Sequence, residues 1–151
     1  MLRCDNRSMD TAASLNHLLG PLRRAVLRST RNAEGLPDLP EAHIEMLRVL
    51  SADGPMGTGA VAARLRMSPS TVSNLVRAMS AAGLVERRPS ATDARSVGLS
   101  ATPAALELLA RYDRASRRAL QKALDGLPPG DRDAVAKAIP ALERLAASLG
   151  E

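Results

Sequence analysis

A run of small polar side chains followed by arginines, between residues 68 and 95, is the part of this sequence that could carry chemistry. Hydroxyl groups can bond phosphates or the edges of any base, an asparagine can pair bidentately with adenine, and an arginine can pair with guanine. The set therefore indicates contact with nucleic acid, although its first two serines also suit helix caps alone. The members of its first segment are Ser68, Ser70, Thr71, Ser73, Asn74 and Arg77.

Arginines cluster in the same part of the chain. Residues 57–95 hold six basic and two acidic residues, so they carry +4 of the net charge of +5 of the whole chain. Such clustering is the electrostatic footprint expected of a nucleic-acid-binding surface. The arginines that follow the first segment are Arg87, Arg88 and Arg95. An Arg at the tip of a hairpin suits a narrow minor groove, whereas Glu86 offers Arg87 and Arg88 an alternative partner within the protein.

Two helices and a hairpin must position these side chains. Thr58 and Ser68 are typical N-caps of two consecutive short helices. Gly83 suits the left-handed residue that ends the second helix. Residues 84–88 and 95–99 are short extended segments around a turn-prone tip, which predicts a hairpin. The order predicts a winged helix-turn-helix within a mainly α fold, with the hairpin as a small wing.

Apolar stripes at near-heptad spacing predict long helices at both ends of the chain. Gly20-Pro21 is expected to bend or divide the first of these helices, and Pro140 to kink the last. Because burying each leucine is worth about 1.5–3 kcal/mol, the stripes need a partner, and we expect them to form N- and C-terminal helical dimerisation arms. Packing within one chain is the alternative. The leucines concerned are Leu15, Leu18, Leu22, Leu142, Leu145 and Leu149.

A further long helix is expected over residues 103–125, and its charges suit a solvated face. Glu107 and Asp113 each precede an arginine by four residues, Arg111 and Arg117 respectively. That spacing favours ion pairs along a helix. The sequence therefore predicts that these arginines are held on the helix surface and do not contact nucleic acid.

Composition supports a helical, non-enzymatic protein. Ala and Leu supply 50 of the 151 residues, and both favour helices. The chain has no Ser-His-Asp set and no glycine-rich phosphate loop, so we expect no catalysis and no cofactor. Cys4, His17 and His43 lie too far apart for a common zinc spacing, so we expect no metal.

The cellular location is predicted from what the sequence lacks. There is no apolar run of 18 residues, which predicts no membrane span and no membrane partner. Residues 1–10 lack the apolar stretch of a signal peptide. A single cysteine forms no internal disulfide, so a cytoplasmic protein is expected and Cys4 is interpreted as a spare thiol.

The segment GAVAARLRMSPSTVSNLVRAMSAAGLVERRPSATDARSVGLSATPAA resembles the MarR family of bacterial transcription regulators. Val61 to Arg88 is similar to the family's paired helices and the following GLV-x-R motif. Asp93-Ala94-Arg95 resembles its Asp-x-Arg wing motif, with Ala94 where members often carry Arg. Thr102-Pro103 resembles the start of the family's next long helix.

The resemblance implies a function and a division of the chain. It implies a homodimeric repressor that binds double-stranded DNA at a pseudo-palindromic operator and responds to a small-molecule effector. Arg95 would enter the minor groove, and Asp93 would orient Arg95. Residues 1–35 would form an N-terminal dimerisation segment, residues 36–102 the DNA-binding lobe and residues 103–151 the C-terminal dimerisation helices. The alternative is a winged-helix protein–protein interaction module without specific DNA binding.

Overall fold

The computed structural model describes residues 6–89 and 97–150 and places six helices and one hairpin there. In chain order these are α1 (Asn6–Glu34), α2 (Glu41–Asp53), α3 (Thr58–Leu65), α4 (Pro69–Ala81), β1 (Val85–Pro89), β2 (Val97–Ala101), α5 (Pro103–Asp125) and α6 (Pro129–Gly150). The predicted fold class, a mainly α winged helix-turn-helix with a small hairpin, is confirmed. The chain divides into two compact units, one of residues 1–33 and 115–151 and the other of residues 34–114.

Local sequence signals set both ends of α4. Ser68 is the N-cap, and its hydroxyl accepts a hydrogen bond from the backbone N–H of Thr71 at 3.2 Å. At the other end Gly83 has a φ of +70°. The N–H of Gly83 reaches the carbonyl of Ser80 at 3.0 Å, and the N–H of Leu84 reaches that of Met79 at 2.8 Å. This pair of bonds is a Schellman motif, so the predicted left-handed stop at Gly83 is confirmed.

The start of α3 differs from the prediction. Gly57 is the N-cap, without a side-chain hydrogen bond, and Thr58 is the first helical residue. The Thr58 hydroxyl is therefore not used as a cap. The helix ends at Arg66, which takes the left-handed conformation with a φ of 52° and closes the turn towards α4.

The two internal prolines do not divide their helices. α1 runs continuously through Pro21, and α6 runs continuously through Pro140. A proline removes one backbone hydrogen bond from a helix. The bonds of the remaining turns in helices of 29 and 22 residues persist on both sides, so the first helix is not divided at Gly20-Pro21, and a bend is the predicted outcome that remains.

The hairpin closes the core of the unit formed by residues 34–114. β1 and β2 pair antiparallel, with Arg87 opposite Leu99, and Leu99 also exchanges two backbone hydrogen bonds with Met56, at 3.1 and 2.8 Å. Aliphatic and methionine side chains from α2, α3, α4 and β2 fill this core, consistent with a chain without Phe or Trp. The large side chains that are less than 2% exposed in it are Met46, Leu47, Met79, Leu99, Val61 and Val72.

Gly98 lets the hairpin approach the segment before α3. A Cβ atom at this position would lie 3.0 Å from both the Met56 nitrogen and the Pro55 carbonyl carbon, and both are backbone atoms. We expect Gly98→Ala to destabilise the fold by about 1–3 kcal/mol, because backbone must shift to admit the methyl group. Urea unfolding at a fixed protein concentration measures the change.

Gly59→Ala provides the matched control for that substitution. Gly59 lies in α3, and a Cβ there meets nothing within 4 Å. Removing a helical glycine should stabilise the protein by about 0.5–1 kcal/mol. Equal unfolding midpoints for the two variants would contradict the close approach at Gly98.

The surface charges of α5 pair differently from the spacing rule. Glu107 binds Arg114, two turns along the helix, at 3.1 Å, and Asp113 binds Arg48 of α2 at 3.1 Å. The predicted pairs with Arg111 and Arg117 are not formed. Residues seven apart also lie on one face of a helix, so Glu107 can reach Arg114. The neighbouring helix α2 supplies Arg48 as a further partner for Asp113. Spacing along α5 alone therefore could not determine which arginine each carboxylate binds.

In the unit of residues 1–33 and 115–151, Arg132 holds the turn between α5 and α6. Its guanidinium donates to the carbonyls of Leu124 at 3.2 Å, Asp125 at 3.0 Å and Leu127 at 3.4 Å. The last carbonyls of a helix have no partner within that helix. Arg132, four residues into α6, satisfies them and ties the start of α6 to the end of α5.

Candidate nucleic-acid interface

α4 separates apolar and polar residues onto two faces. Val72, Val76 and Met79 are buried at a spacing of four and three residues, which follows the helical repeat of 3.6. The predicted DNA-contacting residues of this helix are all exposed on the rest of its surface. They are Ser70, Thr71, Ser73, Asn74 and Arg77. Burial of the apolar face against the core therefore orients the polar face towards solvent.

Hydroxyl groups cluster at the start of α4. The Ser68 hydroxyl lies 3.1 Å from that of Ser70 and 2.7 Å from that of Thr71, and it also caps the helix. Each hydroxyl has one donor and two acceptor sites. Ser68 is thus largely occupied within the protein, whereas Ser70 and Thr71 each retain capacity for an outside partner.

Asn74 holds Arg77 on the next turn of α4. The Asn74 Oδ1 atom accepts a hydrogen bond from Arg77 Nη1 at 3.3 Å. A bidentate contact with adenine would need the same Oδ1 to accept from the base while the amide nitrogen donates. In this arrangement the amide oxygen instead directs the guanidinium of Arg77.

The hairpin separates its two neighbouring arginines. Side chains alternate between the faces of a strand, so Glu86 and Arg88 share one face of β1 and Arg87 lies on the other. Arg88 Nε binds Glu86 Oε1 at 2.7 Å. Arg87 faces α4 instead. Glu86 therefore forms its ion pair with Arg88, and the side chain of Arg87 lies on the side of the hairpin that faces α4.

A cleft of about 370 Å³ lies between α4 and β1, which we call the α4–β1 cleft. It brings together three residues predicted as DNA contacts and adds two hydroxyls that were not predicted. Its lining consists of Thr58, Ser73, Val76, Arg77, Ser80 and Arg87. The spacing of Ser73, Arg77 and Ser80, four and three residues, could have indicated Ser80. Nothing in the sequence indicated that Thr58 would line this cleft, because it belongs to a different helix, α3.

The two arginines of the cleft keep their positive charge unbalanced. Within residues 6–89 and 97–150, no carboxylate forms an ion pair with Arg77 or Arg87. Arg64 differs, since it binds Asp53 at 2.8 Å. Among the arginines of α4 and β1, Arg88 is paired with Glu86, whereas Arg77 and Arg87 carry charge that no carboxylate of the described residues balances.

The predicted wing-tip residues Asp93 and Arg95 lie outside the described residues. The predicted dimerisation leucines lie within them. Leu15 is partly exposed, and the other five are 40–76% exposed in the single chain. α6 contains no buried residue at all, although it carries Val135 and Ile139 beside its three leucines.

The described part of the chain contains neither a membrane-spanning helix nor a cluster of metal ligands. No helix there is long and apolar enough to span a membrane. No group of three or more His, Cys, Asp or Glu side chains within it could hold a metal ion.

Known proteins resemble this chain both in the sequence of residues 35–96 and in the overall fold. The family model described as the MarR family matches residues 35–96. An HTH-type transcriptional regulator of Mycobacterium tuberculosis is 29% identical over 119 residues, which cover 77% of this chain and 83% of the relative.

Solved structures share the architecture at lower identity. The crystal structure of RV1404 from Mycobacterium tuberculosis has a TM-score of 0.76 at 19% identity and covers 95% of both chains. A MarR family protein from Bacillus stearothermophilus has a TM-score of 0.72 at 19% identity, covering 95% of this chain and 98% of its own. At this identity the two structures establish the fold alone.

Proposed function

We propose that this chain, whose residues 35–96 match the MarR family model, is a DNA-binding transcriptional regulator that acts as a homodimeric repressor on a pseudo-palindromic operator. Each protomer places α4 in a major groove, and the wing with Arg95 reaches the flanking minor groove. Asp93 orients Arg95. Binding of a small-molecule effector releases the protein from the DNA.

The observation that carries this proposal is the exposed polar face of α4. A helix that reads base edges must present short polar side chains while its other face is anchored in a core. Val72, Val76 and Met79 supply the anchor, and five hydroxyl, amide and guanidinium side chains face outward. A protein-binding face would favour aromatic residues, and the whole chain has a single aromatic residue, Tyr112.

The exposed leucines support the homodimer. α6 is 22 residues long and buries none of them, while α1 leaves Leu18, Leu19 and Leu22 more than half exposed. Contiguous apolar surface of this kind marks an interaction site. A second copy of the chain is the occupant that also explains a two-fold operator, because half-site symmetry follows protein symmetry.

Selection of bound duplexes from a random library, followed by footprinting, tests the proposed function. We expect an inverted repeat whose half-sites lie about 10 bp apart, one helical turn, with two protected major grooves on one face of the duplex. Placing the selected sequence over a reporter promoter should lower transcription. Recovery of no preferred sequence, or protection of one isolated half-site by the intact protein, would contradict the proposal.

A further inference from the structure

We infer that the α4–β1 cleft binds one phosphate group of the DNA backbone, with Thr58 and Ser80 as contacts in addition to Arg77 and Arg87. This inference rests on the proposed function and deepens it. It assigns Arg77 to the backbone and not to a guanine, and it adds two hydroxyls that were not among the predicted DNA contacts.

The chemistry of the lining selects an oxyanion. Two guanidinium groups enter the cleft from different elements, Arg77 from α4 and Arg87 from β1, and neither is paired with a carboxylate of the described residues. Three hydroxyls complete the lining, and the only apolar member, Val76, is buried beneath them. Forked arginine donors match the geometry of phosphate oxygens, and hydroxyls donate to the same atoms.

The size of the cleft fits a phosphate that stays attached to its chain. A volume of about 370 Å³ leaves room for a phosphate group together with its neighbouring sugar atoms. A flat base pair read from its edge needs no such recess, whereas a tetrahedral phosphodiester with its neighbouring sugar atoms can enter one. The shared chemistry of the site is thus a phosphate oxyanion, and the DNA backbone is the source we assign.

Asn74 acts in this arrangement as a positioning residue. Its Oδ1 atom accepts from Arg77 Nη1 at 3.3 Å and so directs the guanidinium. Because the cleft joins α4 to the wing, a phosphate held there would set the depth and register of α4 in the major groove. Contacts to phosphates position a protein on the duplex, while base contacts specify the sequence.

Salt titration with the full-length protein on a labelled random-sequence 30-bp duplex tests the assignment without requiring an operator. We expect Arg87→Gln to weaken binding about tenfold at 0.1 M salt, as loss of a charge-assisted bond allows. The slope of log K against log salt should fall by about 0.9 per subunit. Ser80→Ala and Thr58→Val should weaken binding about threefold each, and Arg88→Gln less than Arg87→Gln. Equal slopes for wild type and Arg87→Gln would overturn the inference.

Arg114→Gln is the matched control for charge. It removes the same positive charge from α5, where Arg114 binds Glu107 at 3.1 Å. We expect its salt slope to equal that of the wild type. If Arg114→Gln lowers the slope as much as Arg87→Gln, the effect is one of net charge and the cleft assignment is wrong.

Duplexes with one neutral methylphosphonate at a time identify the phosphate itself. On a selected operator, one position in each half-site should weaken the wild-type protein about tenfold and leave Arg87→Gln almost unaffected, since the two changes remove one interaction. If the methylphosphonate at that position weakened Arg87→Gln as much as it does the wild type, the inference would be contradicted. Failure to select any operator would count against the proposed function instead, and the random-duplex titration would still test the cleft.

Inorganic phosphate separates a backbone phosphate from a free anion. At constant ionic strength, replacing chloride by millimolar phosphate should leave duplex binding unchanged if the cleft requires a phosphate presented by the DNA. Binding of free phosphate that is present in the wild type and absent in Arg87→Gln, together with equal duplex affinity and equal salt slope for the two proteins, would assign the cleft to a soluble anion and overturn the backbone assignment.

Discussion

Replacing Leu142, Leu145 and Leu149 together by Gln is expected to convert the protein into a folded monomer that binds the operator at least 100-fold more weakly. These side chains are 42, 40 and 76% exposed in the single chain, so their loss leaves the protomer core untouched. At about 1 kcal/mol for each partly exposed leucine, six per dimer amount to about 6 kcal/mol, or more than a 10⁴-fold change in the dimer Kd. Light scattering at micromolar concentration measures the oligomeric state.

DNA binding should fail for the same variant because its two half-sites are no longer engaged together. Linking two binding modules raises overall affinity by about 10²–10⁴ without any new contact. The control is Glu143→Gln with Arg144→Gln on the same helix, which changes no net charge and leaves the apolar stripe intact. A triple variant that remains a dimer would show that α6 packs elsewhere and would remove the basis of the proposed interface.

Arg95→Ala is expected to weaken operator binding strongly and to reduce its dependence on salt. If Arg95 meets the backbone or the minor groove in both subunits, the slope of log K against log salt should fall by nearly 2 per dimer, at about 0.9 per contact. Under the proposed role of Asp93 in orienting Arg95, Asp93→Ala should produce a weaker form of the same change, because the arginine itself is still present. Titration of a labelled operator at three or more salt concentrations measures all variants.

The comparison variant for the wing is Arg114→Ala. It removes an equal charge from a residue that is held by Glu107 on α5. If the position of the arginine and not the net charge determines the effect, the slope of log K against log salt for Arg114→Ala should equal that of the wild type. Identical affinity and slope for Arg95→Ala and Arg114→Ala would refute the role proposed for the wing.

Features that depend on neighbours in the chain could be predicted from the sequence. Ser68 with Pro69 begins α4, and Gly83 ends it, because capping involves only residues within one turn. The apolar spacing at Val72, Leu75, Val76 and Met79 likewise indicates one inner face, of which Leu75 is partly exposed and the other three are buried. Caps and periodicity state where a helix lies and which face is apolar, so the order of elements followed from local signals.

Features that depend on distant residues were decided by the tertiary structure. Thr58 joins Arg77 and Arg87 in one cleft, although it is 19 residues from the first and 29 from the second. Asp113 pairs with Arg48 of α2 and not with the arginine four residues on. In β1, alternation places Arg87 and Arg88 on opposite faces, but only packing of the hairpin against α4 determines which arginine enters the cleft. Local spacing limits the partners of a charged side chain, and the choice among them depends on which elements the buried core brings together.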